Sequence, residues 1–102
     1  MKKQTSEKDI ETYLKRKVER MGGKAYKFSS PGTAGVPDRL VVLPGREMFF
    51  VELKAPGRKP TPLQENRIAE LGRLGQLVFV IDSREMVDAV LAAGSKVAQH
   101  GI

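Results

Sequence analysis

The 102-residue sequence contains no cysteine and no tryptophan, and its single histidine, His100, lies near the last position. Without cysteine there is no disulfide, no zinc–thiolate cluster and no thiol nucleophile, a composition that suits a reducing compartment. One histidine near the chain end gives no basis for a multi-histidine metal site, and the plain reading of His100 is a solvated terminal residue. No apolar stretch approaches the length of a membrane span, and Lys2 and Lys3 are followed by polar residues rather than the apolar core of a secretory signal. A cytoplasmic protein with no membrane partner is the expectation.

What is present is a soluble, foldable balance, with 40% hydrophobic and 29% charged residues. The length suits one domain spanning residues 1–102, with a modest core and room for a single site. Eighteen lysines and arginines against twelve acidic residues give a net charge of +6. Such a surface favours a polyanion, and nucleic acid comes before an anionic membrane face.

Ile10, Leu14, Val18 and Met21 recur at spacings of four, four and three, which predicts a helix over 6–21, capped by Ser6 and stopped by Gly22 and Gly23. Lys24 to Phe28 reads as a short strand, and Ser29 to Pro37 is too rich in turn formers to continue it. Asp38 to Leu43 and Met48 to Lys54 are β-rich runs around Pro44 and Gly45, the pattern of a hairpin. Thr61, Pro62 and Gln64 form a helix-start signal for a helix over 62–74, Leu77 to Ile81 reads as a buried strand, and Arg84 to Ala93 as a closing helix. The expected order is α-β-β-β-α-β-α. The strand–helix–strand passage after the hairpin implies a parallel crossover, hence an α/β fold with a mixed sheet flanked by helices.

Side chains alternate across a strand, so Glu52 and Lys54 share one face with Met48 and Phe50. A hairpin turning symmetrically about Gly45 sets Leu40 against Phe50 and Asp38 against Glu52, with Cβ atoms roughly 5 Å apart. A slip of one residue would break that pairing. Two carboxylates at such range repel, and a divalent cation is the natural compensation. Hard oxygen donors on a partly open site suit Mg²⁺, with Mn²⁺ as a substitute. A cation there would hold a phosphate and acidify an attacking water, and Lys54 would orient that water and neutralise developing charge. The competing reading is a structural salt bridge at a strand end.

Glu7 lies three residues before Ile10 and seven before Leu14, near the middle of the first helix's apolar stripe, with Glu11 at its edge. Glu7 is the preferred third carboxylate and Glu11 the fallback; the competing reading is that Glu7 only complements the positive helix start. Gln64 shares a helix face with Ile68 and Leu71, so it either joins the site or only completes the cap with Thr61. Lys24, Lys27, Arg39, Arg46, Arg58 and Lys59 fall on strands and loops that would rim the centre and contact phosphates. Lys2, Lys3, Lys15, Arg16, Lys17 and Arg20 read first as solvated charge. Phe28, Phe49, Phe50 and Phe79 all read as core, leaving no aromatic series for stacking bases, so backbone and shape recognition is favoured.

Val36, Pro37 and Asp38, then Glu52, Leu53 and Lys54, resemble the PD-(D/E)xK nucleases. With Glu7 in the first helix and Pro62, Leu63 and Gln64 opening the second, the chain more narrowly resembles a stand-alone virus-type replication-repair nuclease (VRR-NUC) domain of the phage or prophage type. The resemblance implies a restriction-endonuclease-like fold and a metal held by Asp38, Glu52 and the Leu53 carbonyl, with Glu7 as the first-helix glutamate. It also implies that Lys54 serves the water nucleophile, that Gln64 is the glutamine following the lysine strand, and that the protein acts as a homodimer on branched DNA such as Holliday junctions. The alternative is a non-catalytic DNA-binding or assembly module of the same fold, against which the acid pair argues, since carboxylates weaken the grip on a polyanion.

Overall fold

The structure is a computed structural model describing residues 5–100, with side chains described for residues 5–93. Its elements are α1 (Glu7–Arg20), β1 (Lys24–Lys27), β2 (Arg39–Val42), β3 (Phe49–Leu53), α2 (Pro62–Arg73), β4 (Val78–Ile81) and α3 (Arg84–His100). This is the order that the hydrophobic periodicities predict. Lys2, Lys3 and the side chain of His100 lie outside the described residues. Among the described residues, no helix is long and apolar enough to cross a membrane.

Helix α1 starts where Ser6 accepts a hydrogen bond from the Asp9 N–H at 3.1 Å while Asp9 accepts one from the Ser6 N–H at 3.0 Å. The reciprocal pair satisfies two N–H groups that a helix start would otherwise leave open. Ile10, Leu14 and Val18 are completely buried, each contributing roughly 1.5–3 kcal/mol of apolar burial. They pack with Val87, Val90 and Leu91 of α3 against one face of the sheet, built from Ala25, Val41, Phe49, Val51, Leu53 and Ile81. A clasp reinforces this layer: the Tyr13 hydroxyl donates to Asp88 at 2.9 Å and Lys17 to the same carboxylate at 2.8 Å.

The sheet order is β1-β2-β3-β4, antiparallel twice and then parallel between β3 and β4. On its second face, Tyr26, Leu40, Phe50 and Val78 form one cross-strand row. The next row toward the chain's loops holds Phe28, Asp38, Glu52 and Val80, since the Phe28 N–H donates to the Asp38 carbonyl at 2.8 Å and Glu52 lies beside Val80. Phe28 meets Phe50 edge-on at 5.2 Å between ring centroids, closing the apolar row beside the acidic one. Helix α2 has no fully buried residue, so this face is covered more loosely than the first.

One boundary differs from expectation: α3 continues past Ala93 to His100. Gly94 alone costs a helix only about 1 kcal/mol, and the following Lys96, Val97, Ala98 and Gln99 can carry the helix onward.

The loop over 29–37 is pinned to α2 beside Asp38. Arg67 Nε donates to the Ala34 carbonyl at 3.0 Å, and Gly35 has φ +87° with no room for a side chain, since a Cβ would stand 2.8 Å from Leu63 Cγ. Gly35→Ala should therefore cost about 1–3 kcal/mol through backbone strain and collision together. Gly32→Ala, also at positive φ but facing open space, should cost less. Paired urea denaturation curves check the difference.

Candidate active site

The hairpin register sets Arg39 opposite Val51 and Leu40 opposite Phe50, and one step further brings Asp38 across from Glu52. Asp38 sits just before β2, and its carboxylate accepts the Leu53 N–H at 2.8 Å. That bond holds Asp38 against the end of β3. Glu52 is only 1% exposed, although it lies on the more open face. Its Oε2 stands 3.9 Å from Lys54 Nζ, an ion pair too long for a hydrogen bond, and its Oε1 is buried without a hydrogen-bond partner.

The carboxyl of Glu52 is pushed up to about 7, first by burial and next by the charge of Asp38; Glu7 adds to the rise and Lys54 opposes it. A buried carboxyl with a free lone pair, facing a second carboxylate, is an unfavourable arrangement unless a cation or a proton joins it. The donor set fits a hard divalent cation, which takes oxygen ligands and completes its shell with water or phosphate.

Glu7 occupies the first turn of α1 and is exposed rather than turned into the core. Its charge is felt at Glu52, yet among the described residues no three carboxylate, histidine or cysteine groups gather closely enough to hold a cation. Among the described residues the closely gathered acids are thus Asp38 and Glu52, with Glu7 exposed at the start of α1. Glu11, the alternative first-helix carboxylate, is committed elsewhere: Arg39 Nη2 reaches it at 2.8 Å. Arg39 beside it holds Glu11 ionised below the usual carboxylate range although partial burial pulls the other way. Gln64 accepts the Thr61 N–H at 2.9 Å through its own Oε1 and so completes the cap of α2.

Two of the six cations expected at the rim face inward. Arg39 follows Asp38 by one residue and so points to the opposite sheet face, toward α1. Arg46 donates to the Leu91 carbonyl of α3 at 3.1 Å. Lys24, Lys27, Arg58 and Lys59 are exposed. Arg58 lines a cleft of about 500 Å³ with Thr5, Ala55 and Pro56, between the start of α1 and the loop that follows Lys54. This loop is tied down by Asp82, a residue with no evident sequence signal, which accepts the Gly57 N–H at 3.2 Å.

A mixed four-stranded sheet flanked by helices, with an acid pair and a lysine at the end of its central hairpin, defines a nuclease of restriction-endonuclease-like fold. No family model matches the chain. A protein described as "Putative nuclease p44", from Acyrthosiphon pisum secondary endosymbiont phage 1, is 54% identical over 80 residues, which span 78% of this chain and 86% of that protein. A solved structure described as a VRR_NUC domain superposes with a TM-score of 0.80 at 36% identity, covering 86% of this chain and 96% of its own. A second, described as a VRR_NUC domain protein, shares the fold at a TM-score of 0.76 and 22% identity, over 92% of this chain and 91% of its own. The chain belongs to the VRR-NUC family of nucleases.

Proposed function

We propose that this protein is a Mg²⁺-dependent DNA endonuclease that acts as a homodimer on branched duplexes such as Holliday junctions, in the cytoplasm of a bacterial or phage-infected cell. Residues 1–102 would work as one nuclease domain. The observation that carries the reading is the buried Glu52 carboxylate, with one oxygen unpartnered, facing Asp38 across the ladder and Lys54 along the strand.

Asp38, Glu52 and the Leu53 carbonyl would hold Mg²⁺, with Mn²⁺ able to replace it. The cation, when bound, supplies positive charge to the scissile phosphate and acidifies the water beside it. Lys54 orients that water and offsets charge as it builds on the phosphate oxygens. Asp38 is held in place by the Leu53 N–H and so meets its ligand without rearranging. Glu7, whose charge is felt at Glu52, would add a third carboxylate to the metal's ligands from the first turn of α1. Lys24, Lys27, Arg58 and Lys59 engage backbone phosphates, which favours recognition of shape over sequence. A domain of this size reaches one scissile bond, so paired cuts across a junction need two copies.

Cleavage of linear, flapped and four-way DNA with Mg²⁺, Mn²⁺ or EDTA tests this reading, alongside sizing in solution. Expected are metal-dependent nicks concentrated at the branch and a mass twice that of the monomer. Binding without cleavage under either metal would instead favour the non-catalytic module. Arg58→Ala with Lys59→Ala should weaken binding to all these DNAs alike and lower the salt dependence by up to about two charges' worth. Binding isotherms at several salt concentrations check this.

A further inference from the structure

Arg39 and Glu11 are paired with each other on the sheet face opposite Asp38 and Glu52. Arg39 donates to one oxygen of Glu11 through Nη2 at 2.8 Å and through Nε at 3.3 Å, and its Nη1 donates to the Ala25 carbonyl at 3.0 Å. The side chains of the pair are 13% and 20% exposed, so water screens them little. One guanidinium thus ties together α1, β1 and β2. Its ends fall beside the reaction centre: Arg39 is the residue after Asp38, and Glu11 lies one helical turn beyond Glu7.

The remaining contacts of α1 with the sheet come mainly from Ile10, Leu14 and Val18. Apolar burial is non-directional and permits small slides and rotations of a helix on a sheet. A charge-assisted bond through a rigid planar group fixes direction as well as distance. Lys8, the other cation near Glu11, is 3.6 Å away with a side chain 82% exposed, and cannot substitute for that constraint.

We propose that the Glu11–Arg39 pair is a strut that sets the rotation and axial position of α1, and thereby holds Glu7 in reacting register with Asp38 and Glu52. Both are positioning residues, and the inference rests on the reading of Asp38 and Glu52 as the reaction centre. The strut acts through Glu7, so its loss matters only while Glu7 is present.

The test uses the full chain with Glu11→Gln, Arg39→Lys, Glu7→Gln, the Glu7→Gln/Glu11→Gln double variant and Glu52→Ala, assayed on flapped DNA with saturating Mn²⁺ well below each melting temperature. Expected for Glu11→Gln is a fall in kcat of about tenfold with the KM for DNA unchanged within about twofold, the pattern of lost geometry rather than lost binding. Arg39→Lys, which keeps the charge but loses the planar fork, should show a similar fall in kcat with KM unchanged. In the Glu7→Gln background, Glu11→Gln should have little further effect. The strut is overturned if Glu11→Gln keeps wild-type kcat, if its effect persists undiminished without Glu7, or if Arg39→Lys raises KM alone, which would mark a phosphate contact. Glu52→Ala separates the two failures. If it cuts like wild type, the reading of the centre itself is wrong; if it is inactive while Glu11→Gln is normal, only the strut is wrong.

Discussion

Glu52→Gln should abolish cleavage and at the same time make the metal-free protein more stable at pH 8. Burial and the neighbouring Asp38 charge raise the Glu52 carboxyl from 4.5 to about 7, so the folded chain binds this proton more tightly than the unfolded chain does. Stability from that proton is fully present below 4.5 and is lost as pH rises through about 7. Above it, the native protein carries a buried anion at a cost of about 3 kcal/mol, which glutamine of the same shape avoids. For a chain of this size that is a rise in melting temperature on the order of 10 °C. The advantage should shrink below pH 5 and again when Mn²⁺ is added to the wild type. Cleavage should fall by at least about 10³-fold, since the amide no longer offers a charged ligand. Differential scanning calorimetry across pH, with and without Mn²⁺, reads the first effect, and single-turnover cleavage the second. Such a reversal is the signature of a site that trades stability for function.

Lys54→Met should lower the cleavage rate by about 10²–10³-fold while DNA binding loses at most one phosphate's worth of salt dependence. The ammonium is mostly buried and stands too far from Glu52 for a strong bond, so its structural contribution is limited. What it does supply is positive charge that opposes the rise at Glu52. Its removal should carry the Glu52 carboxyl above 7, and at limiting Mn²⁺ the acidic limb of the rate profile should move to higher pH, because cation and proton compete for the same oxygens. A pH series at low and saturating Mn²⁺ distinguishes this from a loss of folding. A purely structural salt bridge would instead show a lower melting temperature and no displaced limb.

The placement of Asp38 opposite Glu52, with Lys54 beside it, was legible because it is local. Alternation along β3 puts Glu52 and Lys54 on one face, and a hairpin symmetric about Gly45 is enough to bring Asp38 opposite. The element order was legible for the same reason, since helix and strand periods, turn residues and caps all act over a few positions. What escaped depends on partners far apart in sequence. Glu11 and Arg39 are 28 residues apart, and Arg46 and the Leu91 carbonyl 45, so nothing near either arginine marks it as engaged. Strand parity from Asp38 did carry a warning that Arg39 faces away from the acids. Gln64 shows the opposite case: a helix-face argument and a capping signal competed, and the short-range hydrogen bond is formed. Glu7 follows the helix phase only in part, because the first turn of α1 is exposed while Ile10, three residues on, is fully buried.

These residues describe one division of labour. The α1–α3 layer supplies stability, the Arg39 bridge links that layer to the hairpin, and the looser second face accommodates an acid pair that weakens the metal-free fold. The most direct test is a Mn²⁺ titration by electron paramagnetic resonance on wild type, Asp38→Asn and Glu52→Gln near pH 6.5, without DNA. One saturable ion per chain, released by either substitution and accompanied in the wild type by proton release, is the predicted result. Equal Mn²⁺ binding by all three proteins would contradict the account.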